Sequence, residues 1–159
     1  MNWETESEED FLFFHRIFRG IHRQYWEHWD SIDTIDASFI SFGKKPTDNF
    51  SFDWSKYTTP CFTLNKLTSL EDDKDAFVSK RNIYGILALK IGKLKKIIKK
   101  NRFDIIIQHN PIKAITSENQ YLNRGHTLII GIKKQNITKI REKICESAKW
   151  VRGFEPINN

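Results

Sequence analysis

At residue 90 the hydrophobic period of the chain changes from that of a strand to that of a helix, with no loop between. Residues 84–90 (Tyr-Gly-Ile-Leu-Ala-Leu-Lys) form a short apolar run with the length and make-up of a central strand. From residue 91 to residue 100 the apolar positions step by three and four. Ile91, Leu94, Ile97 and Ile98 share one face, and Lys93, Lys95, Lys96, Lys99 and Lys100 fill the rest. A strand that runs directly into such a helix points to a sheet with helices packed on it.

The neighbouring segments extend this pattern. Residues 50–54 alternate Phe50, Phe52 and Trp54 with Ser51 and Asp53, a half-buried strand, and Thr58-Thr59-Pro60 ends it. Residues 37–42 read as a further strand, joined to it through Gly43, Pro46 and Asn49. Residues 103–108 and 127–132 are strongly β-forming runs, and residues 70–74 are a charged surface loop. Residues 137–151 read as an amphipathic helix with Ile140, Ile144, Ala148 and Val151 inward, stopped by Gly153 and Pro156. Residues 7–29 read as a first helix. Ser7 is its cap with Asp10 three positions on, and Phe14, Ile17, Phe18, Ile21, Tyr25 and Trp29 recur at helical steps. Gly20 weakens that reading. The rival is a buried strand over residues 10–18 followed by a Trp-rich loop. The sum is an α+β fold: one mixed sheet of about five strands with helices mainly on one face. A single domain over residues 1–159 is expected, with a short acidic tail at 1–7 and a polar tail at 153–159.

Composition supports a packed domain. Of 159 residues, 39% are hydrophobic and 13% aromatic, enough to build a core, which a disordered chain lacks. Fifteen of the 21 aromatics precede residue 63, which puts the aromatic core mainly in the first half. No apolar run is long enough to span a membrane. The acidic start (Glu4, Glu6, Glu8, Glu9) argues against a secretory signal, and Cys61 and Cys145 form no C-x-x-C pair. The expectation is a cytoplasmic protein with reduced thiols. Net charge is +6 but unevenly spread: residues 1–79 hold 8 Lys/Arg against 15 Asp/Glu, and residues 80–159 hold 18 against 5. Such asymmetry points to an anionic partner for the second half, or to two halves that neutralise each other in the fold.

Two places carry the residue types that chemistry needs. The first is Gln108-His109-Asn110-Pro111 with Asn123-Arg124-Gly125-His126-Thr127. His109 ends one expected strand and His126 begins the next, so neighbouring strands put both imidazoles at one end of the sheet. They would serve as an acid–base pair, with Arg124 or Arg16 on an anion. The bland alternative is a pair of turns, since Asn-Pro and Arg-Gly are turn signals. No third metal ligand is near, and the H-x-[ST] repeat of two-histidine phosphoesterases is missing. His15, Arg19, His22 and Trp26 would share a stripe of the first helix, flanked by Arg16 and Arg23. Asp53, between Phe52 and Trp54, reads as a general base or, more simply, as an acceptor for the amides of Ser55 and Lys56. The second place is the basic stretch from Lys80 to Lys113, with ten Lys/Arg against Asp104 alone. Its lysines, with Arg102, suit a phosphate backbone, an anionic membrane surface or a solvated cover on the sheet. No Gly-rich phosphate loop or dinucleotide fingerprint is present, and no cofactor is implied.

The string Phe52-Asp53-Trp54-Ser55-Lys56-Tyr57-Thr58-Thr59-Pro60, then Gly85-Ile86-Leu87-Ala88-Leu89, His109-Asn110-Pro111 and Asn123-x-x-His126 resemble small bacterial proteins of accessory gene clusters, of phage-defence-like or toxin-like kind. The resemblance covers residues 36–150 and carries no named activity. It implies a subunit working beside a larger protein partner. The leading expectation is therefore a small basic accessory subunit that binds a partner protein and nucleic acid. The alternative is a small enzyme acting on a nucleotide or phosphate ester through His109 and His126.

Overall fold

The computed structural model describes residues 1–22, 50–66, 84–117 and 121–152. Among these residues six strands form one sheet: β1 (Arg16–His22), β2 (Phe50–Trp54), β3 (Tyr84–Lys90), β4 (Ile106–His109), β5 (His126–Ile130) and β6 (Lys149–Trp150), in the order β4-β5-β2-β1-β3-β6. Among the described residues three α-helices accompany them: α1 (Pro60–Lys66), α2 (Ile91–Asn101) and α3 (Ile137–Ser147). The fold is α+β, as the sequence implies. The sheet differs from the expectation in having six strands rather than about five, and in pairing antiparallel at every junction. The reason is the route of the chain. α2 carries it from β3, near one edge, to β4 at the other, and α3 carries it back from β5 to β6.

Both crossover helices lie on the same face. Ile91, Leu94 and Ile97 of α2 and Ile140, Ile144 and Cys145 of α3 join Ile17, Phe50, Phe52, Trp54, Leu89, Ile107 and Ile129 in one core. Each fully buried aliphatic side chain contributes about 1.5–3 kcal/mol. The helical stripe read at residues 91–98 is thus the packed stripe, with Ile98 half-buried at its margin. α1, which the sequence reading did not include, packs on the opposite face. There Leu64 meets Phe18 of β1 and Ile86 of β3. The helices therefore cover one face chiefly, not solely.

The N-terminal segment corrects the first-helix reading. Ser7 and Asp10 do form a cap, with the Ser7 amide and hydroxyl both donating to the Asp10 carboxylate at 2.9 and 2.7 Å. The helix lasts one 3-10 turn, Glu8–Asp10. Residues 16–22 are instead a central strand, paired with β2 on one side and β3 on the other. A strand buried on both faces is apolar at successive positions. Ile17 faces the α2–α3 core and Phe18 the α1 side, so steps of three and four arose from two faces rather than one stripe. Phe14, counted toward that stripe, is 58% exposed. Phe11 takes the inward place and stacks on Trp54 with ring centroids 4.0 Å apart.

The last helix is also shorter than expected. It ends at Ser147, and residues 149–150 pair with Leu87 and Ala88 as an edge strand. Gly131 closes the β4–β5 pair at φ +93°, where an added Cβ would lie 2.5 Å from the Asp104 carbonyl. Cys61 is exposed and Cys145 is buried. No helix among the described residues is long and apolar enough to cross a membrane. The expected strand at 37–42, the loop at 70–74, Arg23, Tyr25, Trp26, Trp29 and the tail at 153–159 lie outside the described residues.

Candidate functional site

Alternating strand direction gathers the ends of β2, β3 and β4 and the starts of β1, β5 and β6 at one end of the sheet. The register shows it directly: Arg16 lies opposite Lys90, Ile17 opposite Trp54, Asp53 opposite His126, and His109 opposite Thr127. Arg16, Asp53, His109 and His126 thus sit along this one rim, in two groups, whereas Arg19 and His22 lie farther along β1, opposite Leu87 and Tyr84.

The first group surrounds the histidines. His109 and His126 do end and begin neighbouring strands. However, His109 pairs with Thr127, one residue from His126, so the two side chains leave opposite faces of the sheet. His109 is buried between Trp54 and Tyr57, with centroids at 5.4 and 5.6 Å. Its Nδ1 accepts the Glu6 amide at 2.9 Å, which leaves the proton on Nε2, donated to the Arg124 carbonyl at 2.6 Å. His126 holds the other tautomer: Nδ1 donates to the Asn110 carbonyl at 2.7 Å and Nε2 accepts from the Ser51 hydroxyl at 2.9 Å. Burial lowers the pKa of both below the ordinary histidine value, against the opposing pull of those carbonyls. Both imidazoles are neutral and fully engaged, and they are not assembled as one acid–base couple.

Asp53 lies beside His126 and is completely buried. Its role is neither of those expected. The Ser55 amide donates to the Arg16 carbonyl instead. The carboxylate accepts from the Thr63 hydroxyl at 2.6 Å, from Lys66 Nζ at 2.5 Å and from the Asn123 amide at 2.7 Å. Asn123 in turn accepts the Gly125 amide at 3.0 Å. This network ties α1 and the turn before β5 to the sheet. Arg124 is exposed, with its guanidinium 4.1 Å above the Tyr57 ring. Glu6, in the expected acidic tail, is docked: it pairs with Lys56 at 3.0 Å and accepts from the Tyr57 hydroxyl. Arg19 lies on the core side, donating to the Ser51 carbonyl at 2.8 Å beside the Phe50 and Phe52 rings. His15, read as part of a polar helix stripe, meets the Trp54 ring edge-on and accepts the Leu12 amide.

The second group is cationic. Where β1, β3 and β6 reach the rim, between the start of α2 and the end of α3, a cavity of about 490 Å³ is lined by Arg16, Lys90, Lys93, Lys149 and Arg152. Its remaining wall is Ala88, Ser147, Trp150 and Val151, with no acid among these residues. Only Arg16 and Lys93 were marked as binding residues in the sequence. Lys90, Lys149 and Arg152 come from separated segments, and no local motif links them. From Lys93 the exposed residues Lys96 and Lys100 continue at helical spacing along α2, beside Lys99 and Arg102, also exposed, and half-buried Lys95. Lys56, Lys66 and Lys143 find carboxylates in Glu6, Asp53 and Glu146. The cavity cations and the α2 lysines find none among the described residues.

This arrangement runs against what helix stability alone favours. Lys90 and Lys93 stand at the positive end of the α2 dipole, and no acid occupies its first turn. A cation there costs about 0.3–1 kcal/mol. The first α2 amides are already taken, Ile91 by the His15 carbonyl at 2.8 Å and Gly92 by the Phe13 carbonyl at 3.0 Å. The cavity therefore offers charged side chains rather than a helix N-terminus. Comparison with protein-family models, with curated proteins and with solved structures gives no match.

Proposed function

We propose that the chain is a small accessory subunit that binds nucleic acid through the cationic rim and α2, beside a larger protein partner. The observation that carries this is the convergence of five cations on one cavity that continues into the α2 lysine row, with no carboxylate among the described residues paired to them. Side chains of this kind hold phosphates through charge and counterion release, independent of base sequence. The opening acidic segment does not cancel the charge: Glu6 is spent on Lys56 and Tyr57, and Asp10 on Ser7. For the protein partner, support comes from the resemblance to accessory-cluster proteins and from Phe13 and Phe14, 75% and 58% exposed beside the start of α2. The enzymatic alternative has weaker support, because both imidazoles hold structural hydrogen bonds on opposite faces.

The test is fluorescence anisotropy with labelled single- and double-stranded oligonucleotides. Salt-sensitive binding is expected, weakened about tenfold or more by the joint substitution Lys96→Glu and Lys100→Glu. No binding at low salt, together with no retention on heparin, would overturn the reading.

A further inference from the structure

The shape of the cationic group distinguishes it from a plain basic face. α2 alone presents a row, suited to the side of a strand. At the Lys93 end the row opens into a concavity of about 490 Å³, in the size range of small-molecule sites. Five cations meet there, from β1, β3, α2, β6 and the residues after β6. Lys149 and Arg152 follow the C-terminal end of α3, where its dipole favours positive charge. Lys90 and Lys93 have no such compensation. A backbone diester brings one negative charge to each contact. A phosphate monoester brings about 1.5 to 2 and three acceptor oxygens, and so neutralises more of the cluster from within one concavity. Arginine adds a planar fork that grips such a group in a bidentate fashion, and Arg16 and Arg152 both line the cavity. Ala88, Val151 and Trp150 supply an apolar part of the wall.

We propose that this cavity binds a phosphate monoester of nucleotide type, and that its source is the phosphorylated end of a nucleic-acid strand whose next phosphates follow Lys93, Lys96 and Lys100. The choice of source rests on the nucleic-acid reading above; the monoester site does not. Arg16 and Lys149 hold the terminal group, Lys90 and Arg152 border it, and Lys93 joins cavity to row.

The experiment compares oligonucleotides that differ only in a terminal phosphate, at the 5′ or the 3′ end, with a free nucleoside monophosphate as a further ligand. The expected result is a preference of about tenfold or more for one phosphorylated end. Arg16→Gln and Lys149→Gln, made singly, are expected to bring the ratio of affinities for phosphorylated and unphosphorylated ends close to one, whereas Lys96→Glu with Lys100→Glu weakens binding of both ends and keeps that ratio. The Arg16 and Lys149 side chains are exposed, and circular dichroism checks that each variant keeps its fold. Equal binding of all ends, with no uptake of the monophosphate, overturns the cavity proposal and leaves nucleic-acid binding by α2 standing. Uptake of the monophosphate with no strand binding supports the site, assigns it to free nucleotides and overturns the nucleic-acid reading.

Discussion

Asp53 shows how much one buried side chain holds together. It has no solvent exposure and accepts from three donors that belong to α1 and to the turn before β5. Asp53→Ala strands the Thr63 hydroxyl and the Asn123 amide in the interior. The expected loss in urea unfolding is about 3 kcal/mol, at the low end for a broken buried ion pair, because the Lys66 ammonium can turn to water. Asp53→Asn keeps one acceptor and is expected to cost less. The histidines make a pH prediction. His109 and His126 are held neutral by burial, with folded pKa values below that of the unfolded chain. As pH falls below about 6.5 the unfolded chain takes up protons that the folded chain refuses, so stability is full above that value and declines beneath it. Unfolding measured from about pH 7.5 down to about pH 5.5 is expected to show this loss, and His109→Gln with His126→Gln to reduce it, His15 being shifted the same way by burial. A stability profile level over that window in the native sequence would contradict the neutral, doubly bonded assignment.

At the scale of the element, α2 separates stability from function. Its apolar stripe fixes it on the sheet, and its first amides are satisfied by the segment before β1. Lys93 contributes to neither. Lys93→Glu places an acid in the first turn, where the dipole favours it by about 0.3–1 kcal/mol. A small rise in thermal stability is expected together with weaker oligonucleotide binding. If binding and stability fell together, Lys93 would be a structural residue and not a ligand contact. The last turn of α2 ends on Arg102 in the left-handed conformation, φ 53°, which turns the chain toward β4.

At the scale of the whole molecule, the imbalance of charge along the sequence survives folding, among the described residues, as a difference between regions. Where acids of the first segment are engaged, they pair locally, with Lys56 and Ser7, and leave α2 and the rim positive. Binding of a single strand is therefore expected to weaken steeply with salt. The slope of log K against log salt should become shallower by roughly 0.7 for each phosphate contact removed, for instance by Lys96→Ala. Anisotropy titrations at several salt concentrations measure it. A slope near zero in the native protein would mean that counterion release does not drive the association.

How far this organisation is legible without the fold follows from how local each signal is. The β3–α2 boundary, the aromatic face of β2 and the inward face of α3 were readable, because each is a period within one segment, but β2 is buried at Asp53 as well and is not the half-buried strand its alternation implies. The lysine-rich surface of α2 was readable too, and so was the meeting of His109 and His126 at one end of the sheet. β1 was misread as helix because a strand with two buried faces and a helix with one stripe mark overlapping positions at 14, 17, 18 and 21. β6 was hidden because two residues become a strand only when β3 offers them an edge. The faces of the two histidines depend on register, and a shift of one residue reverses them. The cavity is the most distant from sequence: Arg16, Lys90, Lys93, Lys149 and Arg152 are brought together by antiparallel strand order. The sequence by itself determined an α+β chain with a basic second half, since composition and period act over a few residues. Only the tertiary structure decided that its cations share one concave site, since that depends on which strand ends meet.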